Sequence, residues 1–257
     1  MTALRVAAIT DVGRVRSENQ DCVLLDGWVS ARDTRRNGDV RLLPDDPAYV
    51  VAVCDGLGGH AGGSVASRLA AMTLALRPWP SAGCDAITER VIEAARNIQQ
   101  VSDAVRDLKG LGSTVAGIAV TATEFSVFSV GDSSVFRAAD GSVGELTVPD
   151  RRPDPHRPDA SVLTQSLSVF TSTPDPAVQT FPVLRPVRLL ACSDGLTDVV
   201  DAERLRSALG GPIGRPGGVE SAARALVAAA LEQGAPDNVS VIVLDLIPSD
   251  EHPVRKP

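Results

Sequence analysis

Apolar residues lie along this chain in short runs bounded by Gly, Pro, Asn or Asp, a pattern typical of buried β-strands. The polar stretch 31–47 interrupts the first runs, and its Asn37-Gly38 dipeptide predicts a hairpin turn. Asp140-Gly141 predicts a second hairpin further on. The predicted strands are residues 4–10, 22–29, 49–54, 113–120, 124–130, 134–138, 143–148, 187–192 and 239–246.

Helical spacing of apolar residues appears in two pairs of segments. Residues 61–76 are rich in alanine, and residues 85–108 repeat apolar positions such as Ile87, Val91 and Ile98. Residues 202–209 and 219–233 form the second pair, separated by a stretch of Gly and Pro. Residues 149–159 are rich in Pro, Arg and Asp, and they predict an irregular exposed loop.

The order of elements is strands, two helices, strands, two helices and a final strand. Grouped strands and paired helices favour an α+β fold over alternating βαβ units. We therefore predict one domain over residues 1–247, with two sheets and helices on the outer faces, followed by a polar tail at 248–257.

Composition narrows the classes of function. The 257 residues carry a net charge of −7, and no basic stripe with interleaved aromatics appears, so nucleic-acid binding is not expected. The four cysteines are scattered without a CxxC pair, which argues against a disulfide framework or a zinc site. With neither a signal-peptide pattern nor an apolar run of membrane-spanning length, the expectation is a soluble cytoplasmic protein without membrane partners.

Three aspartates stand at the ends of apolar runs far apart in the chain. Asp55 and Asp194 follow such runs, and Asp237 precedes one. A carboxylate at the mouth of a buried strand is costly unless a cation receives it. Convergence of the three at one end of a sheet would create an oxygen-ligand site for magnesium or manganese.

Each candidate also has an ordinary structural interpretation. Asp55 could merely cap a helix, but its glycine-rich surroundings and the two further acids favour metal ligation, with the Gly56 carbonyl close to a metal. Asp132 fits a hairpin turn as well as an accessory metal site, and Arg16 fits an exposed loop as well as a phosphate contact. His60 could donate a proton to a leaving group or simply lie solvated at a helix start.

Seven segments occur in an order that resembles the bacterial branch of the type 2C (PPM family) metal-dependent protein serine/threonine phosphatases. The resemblance covers most of the chain, and the ordered set is far more specific than any one motif. The matching segments are residues 10–21, 53–60, 112–114, 129–133, 162–167, 193–198 and 236–240.

The resemblance implies a four-layer αββα sandwich, two packed antiparallel sheets flanked by helix pairs, with two Mg²⁺ or Mn²⁺ ions in a cleft at one end. By position, Asp55 would bridge both ions, Gly56 would offer its carbonyl to one, and Asp194 and Asp237 would complete the other. Asp132 would serve a third ion. The resemblance gives Arg16 the substrate phosphate, and it makes Gln20, Asp21 and Asn238 supporting residues. His60 stays a catalytic candidate, although eukaryotic members place their histidine inside the glycine turn, where this chain has Leu57.

The activity implied is hydrolysis of phosphoserine and phosphothreonine by a metal-bridging water, without a phosphoenzyme. The partners implied are phosphorylated targets of a Ser/Thr kinase, and the chain is expected to act as a monomer. Further departures are that Gln20 replaces a frequent glutamate, Ser134 replaces a usual arginine, and residues 149–159 predict a short or disordered flap.

Three rival functions remain at this stage. A catalytically silent phosphatase fold would be marked by loss of a metal acid, and Asp55, Asp194 and Asp237 are all present. A phosphatase of small phosphorylated molecules is compatible with a short flap. A structural calcium-binding protein would carry repeated acidic loops, which this sequence lacks.

Overall fold

The structure is a computed structural model that describes residues 1–30, 33–42, 47–57, 61–79, 81–155, 157–168 and 173–248. The helices are α1 Ala61–Leu74, α2 Cys84–Ala104, α3 Asp194–Thr197, α4 Ala202–Leu209 and α5 Gly218–Glu232, with a short 3₁₀ helix at Arg106–Leu108. The strands are β1 Thr2–Asp11, β2 Cys22–Leu25, β3 Trp28–Val29, β4 Thr34–Leu42, β5 Tyr49–Cys54, β6 Gly56–Leu57, β7 Gly112–Ser113, β8 Val115–Val120, β9 Glu124–Val130, β10 Ser134–Ala139, β11 Ser142–Glu145, β12 Arg151–Asp154, β13 Arg157–Leu163, β14 Leu167–Ser168, β15 Ala177–Pro182, β16 Val187–Cys192 and β17 Val239–Pro248.

Two six-stranded antiparallel sheets form the centre of the molecule. Their strand orders are β11-β10-β16-β17-β1-β4 and β15-β9-β8-β5-β2-β3. Inward-facing residues of both sheets, such as Val6, Val51 and Leu244, pack together between them. The predicted sandwich of antiparallel sheets is confirmed.

Each sheet is covered on its outer face by a helix pair. Ile87 and Val91 of α2 pack with α1 on one sheet, and Leu226 of α5 packs with α4 on the other. Strands buried on both faces explain why the apolar runs were continuous rather than alternating. None of the helices in the described ranges is both long and apolar enough to cross a membrane.

The predicted turn at Asn37-Gly38 is wrong. Both residues lie in the middle of β4, where Asn37 pairs with Ala7 and Gly38 with Val6 of β1. β4 is an edge strand and most of its residues are exposed or half-buried, so it shows no apolar run. The Asn37 side chain donates a hydrogen bond to Glu220 of α5, which holds this strand against the helix layer.

Residues 149–159 are not an irregular loop. β12 and β13 form an antiparallel hairpin that belongs to neither large sheet. Its described side chains are largely exposed, and without a buried face the strands leave no hydrophobic pattern. The flap is therefore ordered over these strands, with His156 outside the described residues.

Two further boundaries differ from the prediction. The segment 22–29 is a tight hairpin rather than one strand, because Asp26 and Gly27 adopt positive φ angles of 42° and 88°. The second helix ends at Ala104, where Val105 turns to an extended conformation before the 3₁₀ helix. The predicted tail beyond residue 248 lies outside the described residues.

Strand ends carrying the candidate acids meet at one end of the sandwich. In one sheet Cys192, the last residue of β16, pairs with Val241, and Asp11 at the end of β1 pairs with Val239. In the other sheet Cys54 at the end of β5 pairs with Cys22 at the start of β2. Antiparallel pairing thus brings segments distant in sequence to a common edge.

A buried ion pair lies towards the opposite end of the first sheet. Arg188 at the start of β16 and Asp245 near the end of β17 are cross-strand partners, 1% and 0% exposed. All five N–H donors of Arg188 are used: two bind Asp245, and the others bind the carbonyls of Leu209, Gly211 and Pro212. The pair therefore ties the loop between α4 and α5 to the sheet.

Candidate functional site

Asp55, Asp194 and Asp21 meet at this common edge. Asp55 follows β5, Asp194 opens the one-turn helix α3 after β16, and Asp21 precedes β2. The negative charges of Asp21 and Asp194 both act on the Asp55 carboxyl group. Asp55 is therefore the centre of a cluster drawn from both sheets.

Hydroxyl groups hold the backbone around this cluster. Thr114 Oγ1 accepts a 3.2 Å hydrogen bond from Asp55 N, and Thr114 N donates to Asp55 O at 2.8 Å. Ser193 Oγ donates to Asp21 Oδ2 at 2.8 Å and accepts from Ser240 N at 3.0 Å. These contacts cross between strands, so the acids rest on rigid elements rather than on loops.

Burial and mutual repulsion both act on the acids. Burial, followed by the charges of Asp21 and Asp194, raises the pKa of Asp55 well above its usual range. Burial and the charge of Asp132 raise the pKa of Asp194 to about 7, and burial raises that of Asp21 to about 6. A bound cation would counteract both causes of these raised pKa values, desolvation and like-charge repulsion.

Asp237 lies at the rim of the cluster and contacts Arg16. Arg16 Nη2 donates to Asp237 Oδ2 at 2.7 Å, and Asn238 N donates to Asp237 Oδ1 at 2.8 Å. The charge of Asp237 also reaches Asp21 and Asp55. The Arg16 side chain is 54% exposed, so donors beyond the one used on Asp237 face solvent at the site.

Asn238 fixes the loop that carries Arg16. Its Nδ2 donates to the carbonyls of Val12 and Glu18 at 2.9 and 3.0 Å, and its Oδ1 accepts from Gln20 N at 2.8 Å. Gln20 O in turn accepts a 2.6 Å hydrogen bond from Ser67 Oγ of α1. These hydrogen bonds fix the loop, and the supporting roles expected for Asn238 and Gln20 stay predictions.

Asp132 lies on the Asp194 side of the cluster together with Asp198 and Arg151. Asp132 is 8% exposed, and burial raises its pKa while the charge of Arg151 opposes that rise. Arg151 Nη1 donates to Asp198 Oδ1 at 3.2 Å. Sequence reasoning assigned no role to Asp198 or Arg151, because Arg151 lies in the segment taken for an irregular loop.

Two glycines allow the backbone segments to approach closely. A Cβ on Gly195 would lie 1.9 Å from the Asn238 carbonyl oxygen, so only glycine lets the Asp194 and Asp237 loops touch. A Cβ on Gly56 would lie 2.3 Å from the Gly63 carbonyl oxygen of α1. Gly56 thus packs tightly against the first helix, beside the place proposed for a metal.

The donor set of the cluster suits magnesium or manganese. Carboxylate oxygens are the ligands that these hard cations prefer. Several carboxylates lie close together here, and groups of like charge cannot neutralise one another. In the described ranges, no group of three or more His, Cys, Asp or Glu side chains lies close enough together to hold a metal ion as it stands, so ligation would require the carboxylates to turn towards a common ion. His60 lies outside the described residues, and its proposed acid role stays a prediction.

A family model described as protein phosphatase 2C matches residues 40–231. The serine/threonine protein phosphatase PstP of Mycobacterium tuberculosis is 29% identical over 263 residues, covering 96% of this chain and 46% of the relative. The chain thus spans about half the length of that protein. The serine/threonine phosphatase stp of Listeria monocytogenes is 26% identical over 260 residues, covering 92% of this chain and 93% of the relative.

Solved structures show the same fold. The catalytic domain of PstP, crystallised with two manganese ions, has a TM-score of 0.75 and 28% identity, covering 96% of this chain and all of that one. PppA, described as a key regulatory component of T6SS in Pseudomonas aeruginosa, has a TM-score of 0.75 and 26% identity, with 96% and 100% coverage. Since the family model spans well over half of its residues, this chain belongs to the protein phosphatase 2C family.

Proposed function

We propose that this chain is a metal-dependent phosphatase that hydrolyses phosphoserine and phosphothreonine in proteins. The observation that carries the proposal is the buried carboxyl cluster of Asp55, Asp194 and Asp21, with Asp237 and Arg16 at its rim. The PstP catalytic domain was crystallised with two manganese ions, which supports a two-ion site in this chain.

Asp55, Asp194 and Asp237 would hold the ions, with the Gly56 carbonyl as a further ligand, and Asp21 would act beside Asp55. When bound, the divalent cations supply Lewis-acid polarisation of the phosphoryl group and activation of a water. Arg16 would bind the phosphate oxygens through the N–H groups not engaged by Asp237, since an arginine has several donors in a planar fork. Asn238 and Gln20 would keep the Arg16 loop in place.

A cleft beside Arg16 supports a protein substrate over a small phosphate ester. A cavity of about 1100 Å³ is lined by Ser17, Glu18, Asn19, Arg68 and Met72, among others. Ser17, Glu18 and Asn19 follow Arg16 in the same loop, whereas Arg16 itself and the acids of the cluster do not line the cavity. Its size is enough for several residues flanking a phosphoamino acid.

We propose that the partners are phosphorylated proteins, which are the targets of a Ser/Thr kinase. The chain acts on these proteins as a monomer. A reducing compartment such as the cytoplasm is also proposed. The cysteines support this compartment, because all four are free thiols and three of them are buried. They are Cys22, Cys54, Cys84 and Cys192.

The test of function is metal removal. Release of phosphate from a phosphothreonine peptide should require manganese and should fall to background with a chelator. Excess manganese should restore it. Release that is equal with and without chelator would contradict the proposal, and release from a small phosphate ester alone would favour the small-molecule alternative.

Arg16→Lys should lower kcat/KM for the phosphopeptide by roughly tenfold to a hundredfold, because a lysine cannot bind phosphate as a fork. The effect should fall mainly on KM. Arg14→Lys is the matched control: Arg14 is exposed in the same loop, and its backbone N–H holds the loop through Ala235 O at 3.0 Å. Equal kinetics of the two variants would remove Arg16 from the phosphate site.

A further inference from the structure

A positive charge from the β12–β13 hairpin lies against the carboxylates expected to bind an accessory metal. Arg151 donates to Asp198 at 3.2 Å, and its charge acts on Asp132 as well. Asp132 and Asp198 in turn both act electrostatically on Asp194. The guanidinium therefore lies among the carboxylates on the Asp132 and Asp198 side of the cluster.

The position of Arg151 is set by its neighbour in the chain. Asp150 exchanges two hydrogen bonds with Gly131, from Gly131 N to Asp150 Oδ2 at 2.9 Å and from Asp150 N to Gly131 O at 2.8 Å. Thr164 N donates to Asp150 O at 2.7 Å, which fixes the other strand of the hairpin root. The base of the hairpin is thus fastened to the loop that carries Asp132.

We propose that the Arg151 guanidinium is the resident cation of Asp132 and Asp198, and that it competes there with a third divalent ion. This inference rests on the proposed metal-dependent function. An arginine keeps its charge throughout the working pH range, so an ion entering between these carboxylates must displace it or accept its repulsion. The proposed two-ion site at Asp55 includes neither Asp132 nor Asp198 and would keep its affinity.

The consequence is a difference in manganese binding that does not depend on catalysis. In equilibrium dialysis of the full chain with manganese, Arg151→Gln should bind the weakest ion roughly tenfold more tightly than wild type, the size expected when one charge is removed near a buried and a half-exposed carboxylate. Arg151→Lys, which retains the charge, should stay close to wild type. The tighter ions should be unchanged in both.

Arg152→Gln is the matched control. Arg152 is the next residue of the same strand and is exposed, and successive side chains of a strand point to opposite faces. The Arg152→Gln substitution removes the same net charge from the same hairpin. Because the Arg152 side chain points to the other face of the strand, this substitution should leave all manganese affinities unchanged. Thermal melting of each variant verifies that the hairpin change has not unfolded the protein.

The outcomes separate the two claims. Equal isotherms for wild type and Arg151→Gln would overturn the role of Arg151, as would an equal gain in Arg152→Gln, and either result would leave the two-ion phosphatase intact. If the wild-type chain bound no manganese at all, the metal-dependent function would fail and this inference with it.

Discussion

Asp55→Asn should reduce manganese-dependent dephosphorylation of a phosphothreonine peptide by roughly a thousandfold or more, the scale seen when a central electrostatic group of an active site is removed. Asp55 is the residue whose carboxyl group is acted on by the charges of both Asp21 and Asp194. Asparagine keeps its shape and removes its charge, so the loss would report on the charge itself. Initial rates at saturating manganese measure the effect.

The fold of this variant should survive. Without metal, the charge of Asp55 is buried and repelled by Asp21 and Asp194, so its removal relieves an unfavourable interaction rather than creating one. Melting curves in chelator should therefore show no loss of stability. The control is Asp140→Asn, in a distant exposed turn where φ is 53°, because asparagine tolerates that conformation. Activity of Asp55→Asn above a tenth of the control's would contradict the central place given to Asp55 (a threshold of about 1.4 kcal/mol).

Arg188→Ala should lower the free energy of unfolding by about 3–5 kcal/mol, the cost of leaving a buried charge without its partner. Asp245 is fully buried, and it would retain only the 2.6 Å hydrogen bond from Gly214 N among the contacts described here. The carbonyls of Leu209, Gly211 and Pro212 would also lose their donors. Urea denaturation followed by circular dichroism measures the change.

Arg215→Ala is the comparison for this substitution. Arg215 lies exposed in the loop that Arg188 ties down, and surface changes of this kind are usually within about 0.5 kcal/mol. The Arg188 pair lies near the opposite end of the sheet from Asp194, so kcat of the folded Arg188→Ala protein should stay near wild type. A loss of stability no larger than that of Arg215→Ala would show that the pair contributes little.

Elements that contribute a periodic set of side chains to a core were the ones that the amino-acid pattern predicted well. β5 at Tyr49–Cys54, β9 at Glu124–Val130, β16 at Val187–Cys192 and α4 at Ala202–Leu209 have the predicted bounds. Each contributes a run of side chains to a core, and burial selects apolar residues with the period of the element. Their bounding Asp, Gly and Pro residues marked where each run ends.

Elements outside the cores were missed for the same physical reason. β4 is an edge strand, β12 and β13 form a separate hairpin, and β15 at Ala177–Pro182 lies at the edge of the second sheet. Strands with little burial are stabilised mainly by backbone hydrogen bonds, and these bonds form with almost any side chain. The Asn37-Gly38 dipeptide therefore resembled a turn although its backbone pairs with β1.

The amino-acid sequence alone predicted the fold class, the family resemblance and the acids at the ends of buried runs. These features are local, because burial selects apolar residues and turns select particular residue types. Tertiary structure decided that Asp21 lies near Asp55, that Arg16 binds Asp237, and that Arg151 lies beside Asp132 and Asp198. These contacts join segments from different strands and loops. The distances between these side chains depend on the register of the sheets and on the hairpin anchored at Gly131. Neither feature produces a periodic pattern in the amino-acid sequence.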